Sequence, residues 1–313
     1  MGKKGLSGWI VSNGGLALDK FTEQLRWLEQ TMTDCGLDVR QVRNSELIAG
    51  VRNGAPVLWQ LDARGELARC WASDDRDRPD FVLFWDKDVR LAASMEQTGF
   101  RLFNSAAAIA ACDDKSVTHR ILAGHGIAMP DTLTAPFFYP GLAPAGGDGF
   151  VGQVESTLGY PVVVKESFGS FGAQVHLATN RAELSALHAE LQFRPHICQK
   201  YVVSSHGRDV RLQVVGDRVV AAMQRHSETD FRANISSGGS MEPYEPPVAF
   251  QEMAVRASRL LGADFAGVDI LFGPEGEPIL CEVNSNAHMH NLFTCTGVDV
   301  TREIAAHIVK CLV

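Results

Sequence analysis

The chain has 313 residues, of which 45% are hydrophobic, and its formal net charge is −8. This length favours two or three subdomains over one, and the apolar fraction is typical of a globular protein with a substantial core. Dedicated nucleic-acid binders are more often basic, so we expect no nucleic-acid partner.

The cysteine pattern and the apolar segments favour a soluble, cytoplasmic protein. Seven cysteines are scattered without a Cys-x-x-Cys pair, at positions 35, 70, 112, 198, 281, 295 and 311. This spacing indicates a reducing compartment and argues against a disulfide framework and a structural zinc site. No segment has the length of a membrane span, and the opening MGKKGLSGWIV fits neither a signal peptide nor the myristoylation pattern. We therefore expect no membrane partner.

The first hundred residues have the pattern of a small α/β unit. GWIVSNGG is a short strand that ends in glycines, and apolar residues at helical spacing follow over 21–32. Residues 50–72 contain Asn-Gly and Arg-Gly turns between alternating segments, which predicts β-strands joined by turns. The apolar run DFVLFWD, at 80–86, predicts a strand of a parallel sheet that is covered on both faces.

The middle of the chain begins with helices. RLFNSAAAIAACDDKSVTHRILAGHGI runs from a short strand into one or two helices, with Asn104 or Ser105 as the cap. Residues 136–150 are rich in Pro and Gly and predict a linker or a long loop.

The rest of the chain contains more hairpins than helices. A strand, a glycine-rich loop, a second strand, a helix and a third strand precede a hairpin on a Gly-Asp turn. A helix at 250–262, a hairpin at 267–286 and a helix at 300–312 follow. Strands and helices alternate early and antiparallel hairpins dominate late, so the predicted fold class is α/β followed by α+β.

The hairpin at 267–286, GVDILFGPEGEPILCEVNSN, carries polar side chains inside apolar strands. Side chains alternate along a strand, so a turn of four or six residues would point Asp269, Glu282 and Asn284 the same way, with Cys281 on the opposite face. Two carboxylates 4 Å apart repel by roughly 4 kcal/mol at an effective dielectric constant of 20. A cation would relieve this repulsion, and oxygen ligands suit Mg²⁺ better than Zn²⁺. A solvent-facing hairpin surface is the alternative.

A glycine-rich loop follows a lysine in PVVVKESFGSFGAQV, residues 161–175. Lys165 emerges from three valines, and the loop around Gly169, Ser170 and Gly172 offers backbone N–H groups to phosphate oxygens. No Gly-Lys-Ser/Thr closes the loop, so it is not a P-loop. The alternative is a flexible hairpin turn with a snorkelling lysine.

A charged segment comes next. Asp209 and Arg211 share one face of a predicted strand, and Arg225, Arg232 and Asn234 follow along the chain. The planar guanidinium suits phosphate because it donates two parallel hydrogen bonds. Surface charge on an antiparallel strand pair is the alternative.

The order of these motifs closely resembles the ATP-grasp superfamily, in particular the RimK-like glutamate ligases. The lysine and glycine loop, an Asp-Val-Arg hairpin, DFRAN, and the Asp and Glu-Val-Asn pair follow in the family's order. The resemblance implies a pre-ATP-grasp α/β domain (1–103) and an ATP-grasp domain (104–313). The latter would comprise a helical connection (104–135), a small lid subdomain (136–203) and a C-terminal catalytic subdomain with a mixed sheet (204–313).

The resemblance also implies roles for single residues. The nucleotide-binding set would be Lys115, Lys165, Ser170, Gly172, Gln199, Lys200, Tyr201, Asp209 and Arg225. Within it, the hinge of Gln199, Lys200 and Tyr201 would meet adenine through its backbone, and Asp209 would hold the ribose. The catalytic set would be Arg211, Arg232 and Asn234. The ligands of one or two Mg²⁺ ions, with Mn²⁺ as an alternative, would be Asp269, Glu282 and Asn284.

The implied reaction is ADP-forming ligation of a carboxylate to an amine through an acyl phosphate. The partners would be a peptide or small-molecule carboxylate and an amino acid such as glutamate. An ATP-grasp phosphotransferase and a non-catalytic nucleotide-binding regulatory protein are the alternatives. Dimers or tetramers are usual in similar proteins.

Two departures from the family pattern concern the ligands. The hinge reads Gln-Lys-Tyr, where the family often has Gln-Glu-Tyr. After Glu-Val-Asn the family commonly continues Ser-Pro-Gly, whereas this chain has SNAHMHN. His288, His290 and Asn291 therefore take the place where the substrate is normally held, which leaves the added amino acid open. The alternative for these residues is loop polarity alone.

Overall fold

A computed structural model describes residues 5–16, 18–140, 149–169, 172–235 and 238–313. These residues form four sheets with helices packed against them. None of the helices in the described ranges is long and apolar enough to cross a membrane.

The N-terminal elements form a parallel sheet and a smaller antiparallel sheet. They are β1 (Ser7–Ser12), α1 (Asp19–Asp34), β2 (Asp38–Arg43), β3 (Leu47–Arg52), β4 (Ala55–Leu61), β5 (Leu67–Ala72), β6 (Phe81–Trp85), α2 (Val89–Gln97) and β7 (Leu102–Phe103). The parallel sheet has the order β2-β1-β6-β7, and the antiparallel sheet has the order β3-β4-β5. The β-strands predicted within 50–72 and the parallel strand predicted at 80–86 are both confirmed. Phe81 to Phe84 of β6 are all buried because both faces of the sheet are covered.

Two short helices, α3 (Ala106–Asp113) and α4 (Lys115–Leu122), connect this unit to the rest of the chain. Of the two predicted caps, Ser105 caps α3, since its hydroxyl accepts from the Ala108 N–H at 3.1 Å. Asn104 instead ties the two halves of the chain together, because its buried amide donates to the Phe265 carbonyl at 2.9 Å.

A small antiparallel sheet follows, in the order β10-β9-β11-β8. Its elements are β8 (Thr132–Thr134), α5 (Gly149–Leu158), β9 (Val162–Glu166), β10 (Val175–Ala178), α6 (Arg181–Leu191) and β11 (His196–Lys200). Val162 and Val164 pack under α5 and α6, so the alternate residues Val163 and Lys165 point to the opposite face. In the predicted linker, 136–150, residues 141–148 lie outside the described part of the chain.

The last sheet has five strands in the order β14-β13-β12-β15-β16. Its elements are β12 (Arg208–Val215), β13 (Arg218–His226), β14 (Ser240–Pro243), α7 (Val248–Leu260), β15 (Phe265–Phe272), β16 (Pro278–Asn284), α8 (His290–Thr296) and α9 (Val300–Leu312). In the described residues the pairings of this sheet are all antiparallel, whereas the resemblance implies a mixed sheet. The two β-hairpins, β12–β13 and β15–β16, account for two of these pairings. The predicted hairpin on a Gly-Asp turn is confirmed as β12–β13.

The five-stranded sheet is covered on both faces, except at one end. Val210, Leu212 and Val214 of β12 lie in the core under α7, and Val215 lies in a second core with α9 and the N-terminal unit. Asp209 shares the face of Val215 and lies at the uncovered end. That end faces the small sheet across a cleft.

Candidate active site

The cleft between the small sheet and the five-stranded sheet has a volume of about 910 Å³, part of it open to solvent. The predicted site residues that line it are Lys115, Lys165, Gly172, Gln199, Lys200, Tyr201, Asp209, Arg225, Arg232, Asn234, Asp269 and Glu282. Asn284 lines a smaller cavity that shares Lys115 and Glu282 with the cleft. Ser170 lies outside the described residues.

The β15–β16 hairpin presents its polar residues to the cleft through an irregular register. The connecting segment has five residues, 273–277, and not the four or six of the prediction. Asp269 pairs with Glu282 while Ile270 pairs with Leu280, so Cys281 is an extra residue in β16. Such a bulge interrupts the alternation of side chains. The prediction that Cys281 faces away from the acids is therefore wrong, and its side chain lines the cleft beside them.

A network of two arginines and two aspartates lies at the floor of the cleft. Of its four members, Asp209, Arg225 and Asp269 line the cleft, whereas the predicted catalytic residue Arg211 is not among the described lining residues. Asp209 lies opposite Arg225 on β13, and Arg211 lies opposite Asp269 on β15. Arg225 donates two hydrogen bonds to Asp209, at 2.6 and 2.7 Å. Arg211 donates two to Asp269, at 2.7 and 2.6 Å, and Arg225 also lies 3.2 Å from the Asp269 carboxylate. The network holds both carboxylates in place in the folded chain.

The two arginines of this network lower the pKa of Asp269. Burial alone would raise the pKa of this carboxyl, but the charges of Arg211 and Arg225 outweigh burial and hold the pKa well below its ordinary value. Asp269 is therefore ionised at neutral pH, although its side chain is only 4% exposed.

Glu282 lies opposite Asp269 on β16, and Asn284 follows two residues later on the same strand. The Asn284 amide donates to the Glu282 carboxylate at 3.1 Å, which leaves its own oxygen free to accept. Within the described ranges Glu282 has no salt-bridge partner. Carboxylate and amide oxygens suit Mg²⁺, so the donor set fits the predicted ion. The oxygens of Asp269 are already engaged with Arg211.

Two lysines face this floor from the other side. Lys165 is 8% exposed, and its ammonium lies 3.7 Å from the Cys281 sulfur. Burial raises the pKa of the Cys281 thiol to about 11, so the thiol is neutral. Among the residues that the structure describes, no carboxylate pairs with Lys165. The Lys115 ammonium reaches the Gly169 carbonyl at 3.5 Å. A buried ammonium without a carboxylate favours an anionic ligand such as phosphate.

The glycine loop is held against the DFRAN segment. Arg232 pairs with Asp230 at 2.7 Å and donates to the carbonyls of Gly172, at 2.6 Å, and Val175, at 3.2 Å. Gly172 has φ +72, and a Cβ there would lie 2.7 Å from the Asn234 amide nitrogen. Arg232 therefore links the loop to the five-stranded sheet, a contact that differs from its predicted one with phosphate.

The predicted hinge at the end of β11 is partly engaged within the protein. The Gln199 side chain donates to the Thr132 hydroxyl at 2.9 Å, and the Lys200 N–H donates to the Asp131 carbonyl at 2.9 Å. The backbone that an adenine could meet is therefore the next stretch, from Tyr201 onwards, which also lines the cleft.

The predicted substrate residues lie beside the N-terminal unit. The ring of His288 meets that of Phe21 edge-on, with the centroids 6.0 Å apart, and His290 is exposed at the start of α8. As far as the described residues define them, neither the cleft nor its smaller neighbour is lined by His288, His290 or Asn291.

Two charged residues that the sequence analysis did not select line the smaller cavity. Lys87 and Asp113 form an ion pair there, next to Lys115 and Asn284. Lys87 follows β6, at the carboxyl edge of a parallel sheet and beside the point where the strand order reverses. Open α/β sheets bind ligands at that position, so this rule could have selected Lys87 from the predicted strand.

Comparison with known proteins agrees with this geometry. A profile of the RimK-like ATP-grasp domain matches residues 112–308. Human N-acetylaspartylglutamate synthase A is 36% identical over 232 residues, which are 72% of this chain and 57% of that protein. Human beta-citrylglutamate synthase B is 33% identical over 296 residues, 93% of this chain and 73% of that protein.

The fold comparison extends over almost the whole chain. The ATP-grasp ligase PsnB, solved with its minimal precursor, Mg and ADP, matches with a TM-score of 0.67 at 16% identity, over 97% of this chain and 98% of PsnB. The resemblance that the motif order indicated is thus confirmed: the chain has the ATP-grasp fold and belongs to the RimK-like ATP-grasp family.

Proposed function

We propose that the protein is an ADP-forming carboxylate–amine ligase that makes an amide bond through an acyl phosphate. The observation that supports this most directly is the buried ammonium of Lys165, which faces Glu282 and the arginine–aspartate floor across one cleft. Two relatives are named as synthases of N-acetylaspartylglutamate and beta-citrylglutamate. We propose that this chain likewise adds an amino acid such as glutamate to a small-molecule or peptide carboxylate.

The nucleotide would lie across the cleft. Lys165 and Lys115 would bind the phosphates, because their ammonium groups face the cleft without carboxylate partners among the described residues. Adenine would meet the backbone from Tyr201 onwards. Asp209 already binds Arg225 through both oxygens, so its contact with the ribose would be an additional one at the same carboxylate.

Glu282 and Asn284 would hold Mg²⁺, with Asp269 shared between the ion and Arg211. When bound, the ion would neutralise charge on the transferred phosphoryl group. Arg211 and Arg225 compensate the charge of Asp269, whereas Glu282 has no salt-bridge partner within the described ranges, so a cation would balance the charge of Glu282.

The chemistry would proceed in two displacements. An oxygen of the acceptor carboxylate attacks the γ-phosphorus, the bond to the bridging oxygen of ADP breaks, and an acyl phosphate forms. The neutral amine nitrogen then attacks the acyl carbon, the bond from this carbon to the phosphate oxygen breaks, and one amine proton leaves with inorganic phosphate. Arg232 would keep the loop around Gly172 closed during both steps, so that water cannot reach the acyl phosphate.

Purified protein with ATP, Mg²⁺ and a panel of carboxylates and amino acids tests the proposal. Mass spectrometry should detect a new amide, with one ADP and one phosphate per product. Glu282→Ala should abolish the amide, whereas Glu275→Ala, in the exposed turn of the same hairpin, should retain it. A phosphorylated product without an amide would identify a phosphotransferase instead. Nucleotide binding without any turnover would favour a regulatory protein.

We also propose a cytoplasmic location and a dimer or tetramer. All seven cysteines are free thiols, as expected in a reducing compartment. Light scattering coupled to size exclusion tests the oligomeric state.

A further inference from the structure

Asp264, His307 and Cys311 bring a carboxylate, an imidazole and a thiol together where the end of α9 meets the start of β15. One ligand atom from each residue lies within 4.8 Å of the other two. None of the three lines the cleft. We propose that they form a second metal site, for a divalent transition-metal ion, with zinc as the ion that the donor set fits best.

The contacts of the imidazole distinguish a metal site from a hydrogen-bond relay. A single nitrogen, Nε2 of His307, lies 3.1 Å from an oxygen of Asp264 and 3.6 Å from the sulfur of Cys311. In a relay of the Ser-His-Asp type, the acid and the nucleophile contact opposite ring nitrogens. One nitrogen cannot donate to the carboxylate and accept from the thiol at the same time. The three ligand atoms instead lie within 4.8 Å of one another, with the carboxylate oxygen and the sulfur both beside the same ring nitrogen.

The separations agree with tetrahedral coordination. Zinc binds nitrogen and oxygen at about 2.0 Å and sulfur at about 2.3 Å, which puts ligand nitrogen and oxygen about 3.3 Å apart and nitrogen and sulfur about 3.5 Å apart. The observed 3.1 and 3.6 Å are close to both values. The Asp264 oxygen and the Cys311 sulfur lie within 4.8 Å of each other, so a movement of the exposed Cys311 side chain would complete the coordination.

The fold holds the three ligands in place. His307 and Cys311 are four residues apart on α9, so they share one face of the helix. The backbone of Asp264 is fixed at both ends: its N–H donates to Asn104 at 2.6 Å, and its carbonyl accepts from Gly216 at 2.7 Å. A Cβ on Gly216 would lie 2.9 Å from the other nitrogen of the His307 ring, so this turn accommodates the ring because it has no side chain there.

The charges and the solvent exposure of the three side chains also suit a divalent metal ion. The Asp264 and His307 side chains are 20% and 16% exposed, whereas Cys311 is exposed and opens the site to solvent. A carboxylate, a neutral imidazole and a thiolate carry two negative charges, which match a divalent cation, and the thiol loses its proton when the ion binds. Three protein ligands leave the fourth position for water. The missing Cys-x-x-Cys pair does not exclude such a site, because it needs one thiolate.

Binding at this site would clamp α9 onto the five-stranded sheet. Ile304 and Ile308 of α9 belong to the core that the sheet shares with the N-terminal unit. An ion that bridges α9 and Asp264 would therefore raise the thermal stability of the folded chain. This effect requires no substrate and does not depend on the proposed ligase activity.

Titration of the metal-free full chain with Co²⁺ tests the proposal. We expect one equivalent to give a thiolate-to-cobalt absorption band together with the visible bands of four-coordinate cobalt, and Zn²⁺ to displace both. Cys311→Ser should abolish the thiolate band, and His307→Gln should weaken binding at least tenfold. Cys35→Ser, which removes another exposed thiol, should change neither.

Zn²⁺ should also raise the Tm of the wild type but not that of Cys311→Ser, while circular dichroism checks that the variants are folded. A spectrum without a thiolate band would overturn the proposal. A band that persists in Cys311→Ser would overturn it too, because the ion would then be bound to a different thiol.

Discussion

The two walls of the cleft carry their charges differently. On the five-stranded sheet, Arg211 and Arg225 each bind an aspartate at 2.6 to 2.7 Å, so these charges are compensated as soon as the chain folds. On the small sheet, Lys165 is also buried, but its ammonium meets a neutral thiol and, in the described ranges, no carboxylate. The arginine–aspartate network is thus complete without a ligand, whereas the charge of Lys165 would be compensated by a bound anion. Substitutions on the two walls should differ accordingly.

The largest effect is expected when the compensated wall is broken. Arg225→Met should lower the free energy of unfolding by about 3–5 kcal/mol, because the buried Asp209 carboxyl would lose both of its hydrogen bonds from Arg225 and Asp269 would lose a nearby positive charge. Lys165→Met should leave the free energy of unfolding within about 1 kcal/mol of the wild type, since no carboxylate loses a partner. Urea denaturation of both variants measures the contrast. Equal losses of stability would contradict the difference between the walls.

Lys165→Met should have a large effect on activity, although its effect on stability is small. Removing a preorganised charge that faces a phosphoryl group typically lowers the rate about 100-fold or more, so Lys165→Met should lower kcat/KM for ADP release by that factor. Lys310→Met, at an exposed position on α9, is the control and should behave like the wild type. Full activity of a folded Lys165→Met would remove the phosphate-binding role from this wall.

The pH dependence of stability tests the environment of His119, which lies near Lys165. Burial, together with the nearby charge of Lys165, lowers the pKa of His119 to about 4. The unfolded chain binds this proton below about pH 6.5 and the folded chain only below about pH 4, so stability is lost as the pH falls through this window, by up to about 3 kcal/mol.

His119→Gln keeps a polar side chain but cannot titrate. The stability of this variant should fall less than that of the wild type between pH 7 and pH 4, as measured by urea denaturation at each pH. If the two curves stay parallel, His119 does not control this loss.

The smallest effect is expected where the two walls touch. Gly172→Ala should cost about 1–2 kcal/mol for its left-handed backbone, and its Cβ would press on Asn234. Gly276→Ala, with φ +84 and open space around it, has the same backbone strain without the contact. Only Gly172→Ala should therefore raise the KM for ATP, which steady-state kinetics measures. An equal KM for both variants would show that the contact between loop and sheet does not matter for ATP.

Local features of the fold could be predicted from the sequence. The helix at 300–312 was predicted with the observed bounds, since its apolar spacing is a property of consecutive residues. The helix predicted at 250–262 begins two residues earlier, at Val248, a shift that is usual for helix ends. The extra residue at Cys281 could not be predicted, because a bulge depends on pairing between strands.

The sequence by itself determined which chemical groups are present and in what order, and hence the family. Only the tertiary structure decided how these groups pair. Asp209 could bind Arg211 or Arg225 as far as spacing is concerned, and the register of β12 with β13 and β15 selects Arg225 for Asp209 and Arg211 for Asp269. The same holds for Asp264 and His307, which are 43 positions apart and meet because α9 packs back onto the sheet. Spacing along the chain sets local structure, whereas contacts between distant side chains depend on strand register and packing.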